Sequence, residues 1–414
     1  MTALQKVSGY LLLTLFALHF AACNGPQEAD DTIPSEQKEM MGKVAENYAN
    51  IVFANYQDAR KAAEKLQSSV DKFIANPTEE NLEKAKLAWI AAREPYGQTE
   101  TFRFSNGPID SKNGPEPLLN AWPLDEALID YVRPGSGGAS EGQGVNIIND
   151  TDGFPEITEE ALLEMHEYQG NEANVTVGFH AVEFLLWGQD FADPSNGKPG
   201  QRPYTDYISG SEGTNSNQQR RAEYLEICAD LLVKYLSQLE RDWDPEVENN
   251  YRQEFLNLPP ENAVRNIMNG IGILSKAELS GERMITPVAN GQEDEHSCFS
   301  DNTDRDIVNN AKGIRNVVTG SYLRLDGTTV SGPSIIELTA EVDEELSSQL
   351  ATVSEESMNK VEQIPAPFDI AISKETLENP GPIMEAVEVL QNQGDKLSEA
   401  ASVMGLTIST ALPE

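Results

Sequence analysis

The 414-residue sequence predicts an all-α protein of helical bundles with long antiparallel pairs. Apolar residues recur at helical spacing over long stretches, and strand-type alternation is nearly absent. The connections between these stretches are long and rich in Gly, Pro or acidic residues, which marks them as functional or disordered segments.

The first periodic stretch, 39–76, places Val44, Tyr48, Ile51, Val52, Ala59, Ala63, Leu66, Val70 and Phe73 at helical spacing. Pro77 ends it. Thr78-Glu79-Glu80 reads as the N-cap and acidic first turn of a second helix running to residue 93. Further helices are expected over 158–167, 176–187, 217–243, 260–284, 304–323, 334–362 and 383–404. The long connections fall at 104–117, 133–150, 188–213 and 290–303. Pro245 and Pro259-Pro260 put a domain division near 250–260, giving an N-terminal bundle over 37–255 and a C-terminal one over 256–414.

Ahead of the first helix, Lys6, an apolar run over 11–20 and Ala21-Ala22 read as a secretory signal, residues 1–22. The run is too short for a lasting transmembrane helix. Phe20-Ala21-Ala22-Cys23 resembles a bacterial lipoprotein processing site, so Cys23 is the expected lipidation point on the bilayer. The alternative is an ordinary signal cleaved nearby. Residues 23–36 then read as a polar, flexible tether.

The formal net charge of −38 argues against nucleic acid and against docking on an anionic membrane surface. It suits a protein that stays soluble outside the cytoplasm. Beyond Cys23 only Cys228 and Cys298 remain, so this is no disulfide scaffold. Cys228 reads as a buried thiol, and pairing of the two is left open.

Of the four histidines, His180 stands inside the apolar run 175–187, three residues before Glu183. On a helix the two share a face with Thr176, Trp187 and Asp190, while Phe179, Val182 and Leu186 fall opposite. Gly178 leaves room for another backbone or a ligand. Imidazole and carboxylate together can hold zinc, iron or manganese, or act as a base and its orienting partner. A pair that merely stabilises the helix is the structural alternative. No second histidine follows at the His-Glu-x-x-His spacing of zincins, and two residues alone bind metal poorly, so further ligands must come from elsewhere. The loop 293–301 offers them: Glu295, His296 and Asp301 as ligands and Ser297 as a lining group, unless its acids are solvated and a helix cap. Arg93, Glu100 and Arg103 either line a polar site or pair internally. In 270–284 the glycines suggest close helix packing, with Lys276 and Glu278 facing a polar layer.

These segments together resemble the imelysin family of bacterial envelope proteins. Gly178-x-His180-x-x-Glu183 matches its signature. Matching flanks are Ala88-Trp89 through Asp110, Trp122-Pro123-Leu124-Asp125, Leu185-Leu186-Trp187-Gly188-Gln189-Asp190, Arg202-Pro203-Tyr204-Thr205-Asp206-Tyr207, 275–284 and 293–301. The resemblance implies two helical-bundle domains with a cleft at their interface, on which these segments converge, Asp110 and Asp125 included. It also implies an envelope protein of iron uptake, lipid-anchored in some members. The leading expectation is a non-catalytic binder of a metal, iron or zinc, or of an iron-containing ligand, working with envelope iron-uptake partners at the outer membrane. A zinc-dependent peptidase with Glu183 as its catalytic residue is the rival, and a protein-binding scaffold with a structural His/Glu pair is the third reading.

Overall fold

A 41-residue helix, Ser35–Ala75, is the spine of the molecule. Its buried side runs through Met41, Ala45, Tyr48, Val52, Ala59, Leu66 and Phe73, as the apolar spacing requires. The computed structural model that shows this describes residues 33–136 and 145–413. The expected signal, Cys23 and most of the tether lie outside those residues, as does part of the 133–150 loop.

The spine packs along the helices Glu79–Thr99 and Gln218–Trp243, and also against Pro260–Ile273. Tyr48 anchors the junction, with its ring 5.7 Å from Phe102, 5.9 Å from Trp243 and 5.6 Å from Phe255. Burying rings of this size contributes about 2–3 kcal/mol each. From Thr32 onward the chain clusters as one compact unit. Helices from both sides of the expected 255/256 division meet the spine, so the packing itself draws no boundary there. The second half adds Thr303–Thr319, Glu344–Val361 and Pro382–Val403. Among the described residues the only paired strands are a short hairpin, Ser321–Leu323 with Thr329–Ser331, so the all-α class is observed. No described helix is long and apolar enough to cross a membrane.

Several elements differ from expectation for identifiable reasons. Thr78 caps the second helix as predicted, accepting from the Asn81 N–H, but the helix runs past residue 93 and through Pro95 to Thr99. Proline removes one helical bond, and burial of Tyr96, Gln98 and Thr99 outweighs that loss. The helix expected to reach 323 stops at Thr319, because Gly320 takes a left-handed conformation (φ 66°) and turns the chain into the hairpin. The stretch 334–362 is two helices: Ser334 starts Ile335–Ala340 with a full capping box, and Asp343 caps Glu344–Val361. The helix over 260–284 is continuous but widens into a π-helix over Leu274–Ile285. In that winding, residues five apart stack on one face, which brings Glu278 and Arg283 together at 3.0 Å. Gly270 lets this helix approach the chain closely; a Cβ there would lie 2.8 Å from the Arg103 carbonyl oxygen.

Candidate functional site

The motif helix is shorter than its apolar run. It spans Phe179–Trp187, and all nine residues are buried. Gly178 starts it at φ 96°, where a Cβ would sit 2.8 Å from the Leu119 carbonyl oxygen. Glycine is required there twice over, by conformation and by contact. Thr176 precedes the helix, its hydroxyl donating to Leu162 O (2.7 Å) and its carbonyl accepting from Tyr224 OH (2.7 Å). Asp190 follows the helix, beyond Gly188. The five-residue stripe projected from sequence therefore does not form one helical face. Trp187 packs edge-on against Trp89 (5.3 Å).

His180 and Glu183 do meet. The Nδ1 of His180 lies 2.8 Å from Oε2 of Glu183. The other carboxylate oxygen, Oε1, accepts from both the N–H (2.9 Å) and the hydroxyl (2.6 Å) of Ser300. Both oxygens of Glu183 are thus engaged by protein. Nε2 of His180 is different: it is buried and has no hydrogen-bond partner. Burial, with the nearby Arg93 charge, lowers the His180 pKa to about 3, and burial raises Glu183 to about 8. The imidazole is neutral, and while Glu183 keeps its proton it donates to Nδ1. When that proton leaves, Nδ1–H donates to the carboxylate and Nε2 becomes a free lone pair, the state in which a histidine ligates metal.

A second histidine faces the first. The rings of His296 and His180 lie 4.7 Å apart, nearly perpendicular. Nδ1 of His296 is 2.8 Å from Oδ2 of Asp306. Its tautomer follows from its neighbours. Arg93 donates to Asn120 Oδ1 (2.6 Å), so the Asn120 amide presents its N–H₂ to Nε2 of His296 at 3.3 Å. Nε2 accepts, and Nδ1–H donates to Asp306. Ser297 donates to the same Asp306 oxygen (2.5 Å), and Arg93 bridges Asp306 at 3.0 and 2.9 Å. Burial alone would raise Asp306, but Arg93 and His296 hold it well below the usual carboxylate range. Burial and Arg283 lower His296 to about 3.

His296 also lines a cavity of about 180 Å³ with Asn120, Trp122, Glu116, Arg103, Glu278 and Arg283. Arg103 is its hub, within ion-pair distance of Glu100 (3.4 Å), Asp110 (3.6 Å), Glu116 (3.3 Å) and Glu278 (3.3 Å). Burial opposes ionisation of Glu100, yet Arg283 and Arg103 bring it down to about 2. Burial and the acids Glu100 and Asp110 push Glu116 up to about 7, against the pull of Arg103.

The structure therefore joins Arg93, His180, Glu183, His296 and Ser297 in one centre, with Glu100, Arg103, Asp110 and Glu278 in the ionic cluster around the adjoining cavity. Glu295, Asp301 and Asp190 lie in a separate acidic group. Asp125 is buried before the short helix Glu126–Ile129, its N–H bonded to Ala173 O. Lys276 pairs with Asp395 at the surface. Cys228 and Cys298 are free thiols. The sequence did not single out Asp306, Asn120 or Glu116, and it held Ser300 only as part of the 293–301 loop, without its bonds to Glu183. For Asp306 a signal existed: Asp306, Asn310 and Gly313 form a row at helical spacing, all buried among Ile307, Ile314 and Val317.

The family model described as imelysin matches residues 52–397. Iron-regulated protein A of Synechococcus elongatus is 26% identical over 286 residues, which is 67% of this chain and 63% of that protein. The chain thus spans somewhat less than two thirds of this curated relative's length. Two crystal structures share the fold. A protein described as an iron-regulated protein A precursor from Parabacteroides distasonis aligns with a TM-score of 0.67 at 19% identity, covering 91% of this chain and 97% of that one. An imelysin-like protein from Psychrobacter arcticum aligns at 0.61 and 15% identity, covering 90% and 98%. The matched span contains Arg93, the His180–Glu183 pair and the His296–Asp306 pair, and on that match the chain belongs to the imelysin family.

Proposed function

We propose that this chain is a lipid-anchored envelope protein that binds iron, or an iron-containing ligand, at His180 and serves iron uptake. The observation that carries the reading is the Nε2 of His180, buried and without a partner while Nδ1 is fixed by Glu183. A polar atom so placed is costly unless something meets it. An imidazole oriented by a carboxylate through its far nitrogen is the arrangement of metal-ligating histidines. Glu183 then orients the ligand, and His296, whose ring faces His180, would join it only by releasing its bond from Asn120. The Arg93 charge beside them is matched by Asp306. The Synechococcus relative is named as an iron-regulated protein, which supports iron over zinc in this reading. The anchor is Cys23, whose sequence context carries that part of the reading.

Metal titration of the purified chain tests this. His180→Ala should weaken Fe²⁺ and Zn²⁺ binding at least tenfold, about 1.4 kcal/mol. Glu183→Gln should weaken it by about 10–100-fold, as loss of an orienting partner does. Equal affinity in wild type and both variants would sink the proposal.

A further inference from the structure

Next to the histidine centre lies a group of carboxyls that the reading above does not use. Asp190 follows the motif helix, Asp301 ends the 293–301 loop, and Asp369 belongs to the short helix Phe368–Ile372. One oxygen from each lies within 4.8 Å of the others, and this is the only such group of three potential ligands among the described residues. Clusters of acids are common on protein surfaces, so proximity alone means little.

The surroundings separate this one from a solvated cluster. Asp369 is 2% exposed and Glu295, which adjoins it, is 0% exposed. The Thr303 hydroxyl approaches Glu295 as a donor, but among the described residues no hydrogen bond of full geometry reaches either oxygen of Glu295, either oxygen of Asp301 or Oδ2 of Asp369. The groups that act on Glu295 are Asp369, the Thr303 hydroxyl and Asp301, so its carboxyl faces the triad. No ion pair joins any of the four to Lys, Arg or His among the described residues. Asp190 is held in place from behind, Oδ1 accepting from the Ala192 N–H (2.8 Å) and Oδ2 from the Gln292 amide. Buried carboxyls without donors or cations are among the most expensive arrangements a fold can carry.

We propose that Asp190, Asp301 and Asp369, backed by Glu295, hold a hard divalent cation of the calcium type at a site separate from His180. All four named groups are carboxyls, which selects hard cations over the borderline metals that imidazole takes. They come from two loops and a short helix. Segments of that kind tolerate the irregular coordination of six to eight oxygens typical of Ca²⁺ better than the strict octahedron of Mg²⁺. Burial and then Asp369 raise Asp301 to about 8, so without a cation the group holds protons instead.

The test uses the full purified chain, stripped with a chelator, titrated at pH 8 with Ca²⁺ and with Tb³⁺ as a luminescent stand-in. One equivalent should bind, and Ca²⁺ should raise the Tm. Asp369→Asn and Glu295→Gln should each weaken Ca²⁺ binding at least tenfold, with folding checked by circular dichroism; Asp301→Asn replaces either variant that fails to fold. His180→Ala should bind Ca²⁺ as wild type does, and Asp369→Asn should bind Fe²⁺ as wild type does, so this site and the histidine site fail independently. No Ca²⁺ binding by wild type, or binding equally strong in the folded variants, overturns the proposal in favour of carboxyls that share protons only.

Discussion

Asp306 does more than any other single residue to order the histidine centre. One carboxylate takes the Arg93 guanidinium, the His296 ring N–H and the Ser297 hydroxyl. Removing it leaves the Arg93 charge buried without its counter-ion, a loss of about 3–5 kcal/mol. Asp306→Ala should therefore lower the urea midpoint sharply, and Asp306→Asn, which also removes the charge but keeps an acceptor for His296, should cost somewhat less; an Asp306→Asn variant as stable as wild type would show that the counter-charge to Arg93 is not what matters. At this scale the sequence spoke through His180, because a histidine inside Phe, Val and Leu has no cheap structural excuse. It was silent on Asn120, which nothing in its own neighbourhood marks. Ser300 stood inside the 293–301 loop, but its bonds to the distant Glu183 could not be read there.

At the scale of elements, the helices were readable wherever a chemical stop or start stood in the sequence. Thr78 and Pro77 fixed one junction. Asp343 marked another, but lay inside a pattern long enough to be read as one helix. Pro95 misled in the other direction, since tertiary burial carried the helix through it. The motif helix depends on its first residue. Gly178→Ala would place a methyl against the Leu119 carbonyl at positive φ, a strain of about 1–3 kcal/mol. The Tm should fall by several degrees, and the His180–Glu183 geometry should loosen with it. A variant as stable as wild type would mean that the chain around Leu119 yields to the added methyl at little cost.

Across the whole molecule, titration sets a pH window for stability. Burial lowers His180 and His296 to about 3 and His166 to about 4, so each is neutral in the fold. As pH falls below about 6.5 the unfolded chain takes up protons that the native state refuses, and stability drops. Raised carboxyls act on the other side, Glu183, Asp301 and Glu116 among them. Burial raises Glu183 and Asp301 to about 8 and Glu116 to about 7. As pH rises from about 4 toward those values, the unfolded chain gives up protons that the native state keeps, and stability drops again. Calorimetry on chelator-treated protein should find a broad Tm maximum between about pH 4.5 and 6.5 and a decline toward pH 8. Glu183→Gln should shallow that decline, and a wild type most stable at pH 8 would contradict the assignment. The fold class was open to sequence because helical periodicity is local. The way the spine helix meets partners from both sides of residue 255 was not, because no local pattern encodes which distant faces will touch.

Ser300 and Asp301 are neighbours in the chain, yet they serve different masters. Ser300 holds Glu183 through both its N–H and its hydroxyl, while Asp301 belongs to the acidic triad. A single peptide unit is therefore a shared wall, and a displacement that suits one side is imposed on the other. Should both proposed sites bind as argued, any effect of one occupant on the affinity of the other would be returned by the same factor, and the 300–301 peptide is the beam of that balance.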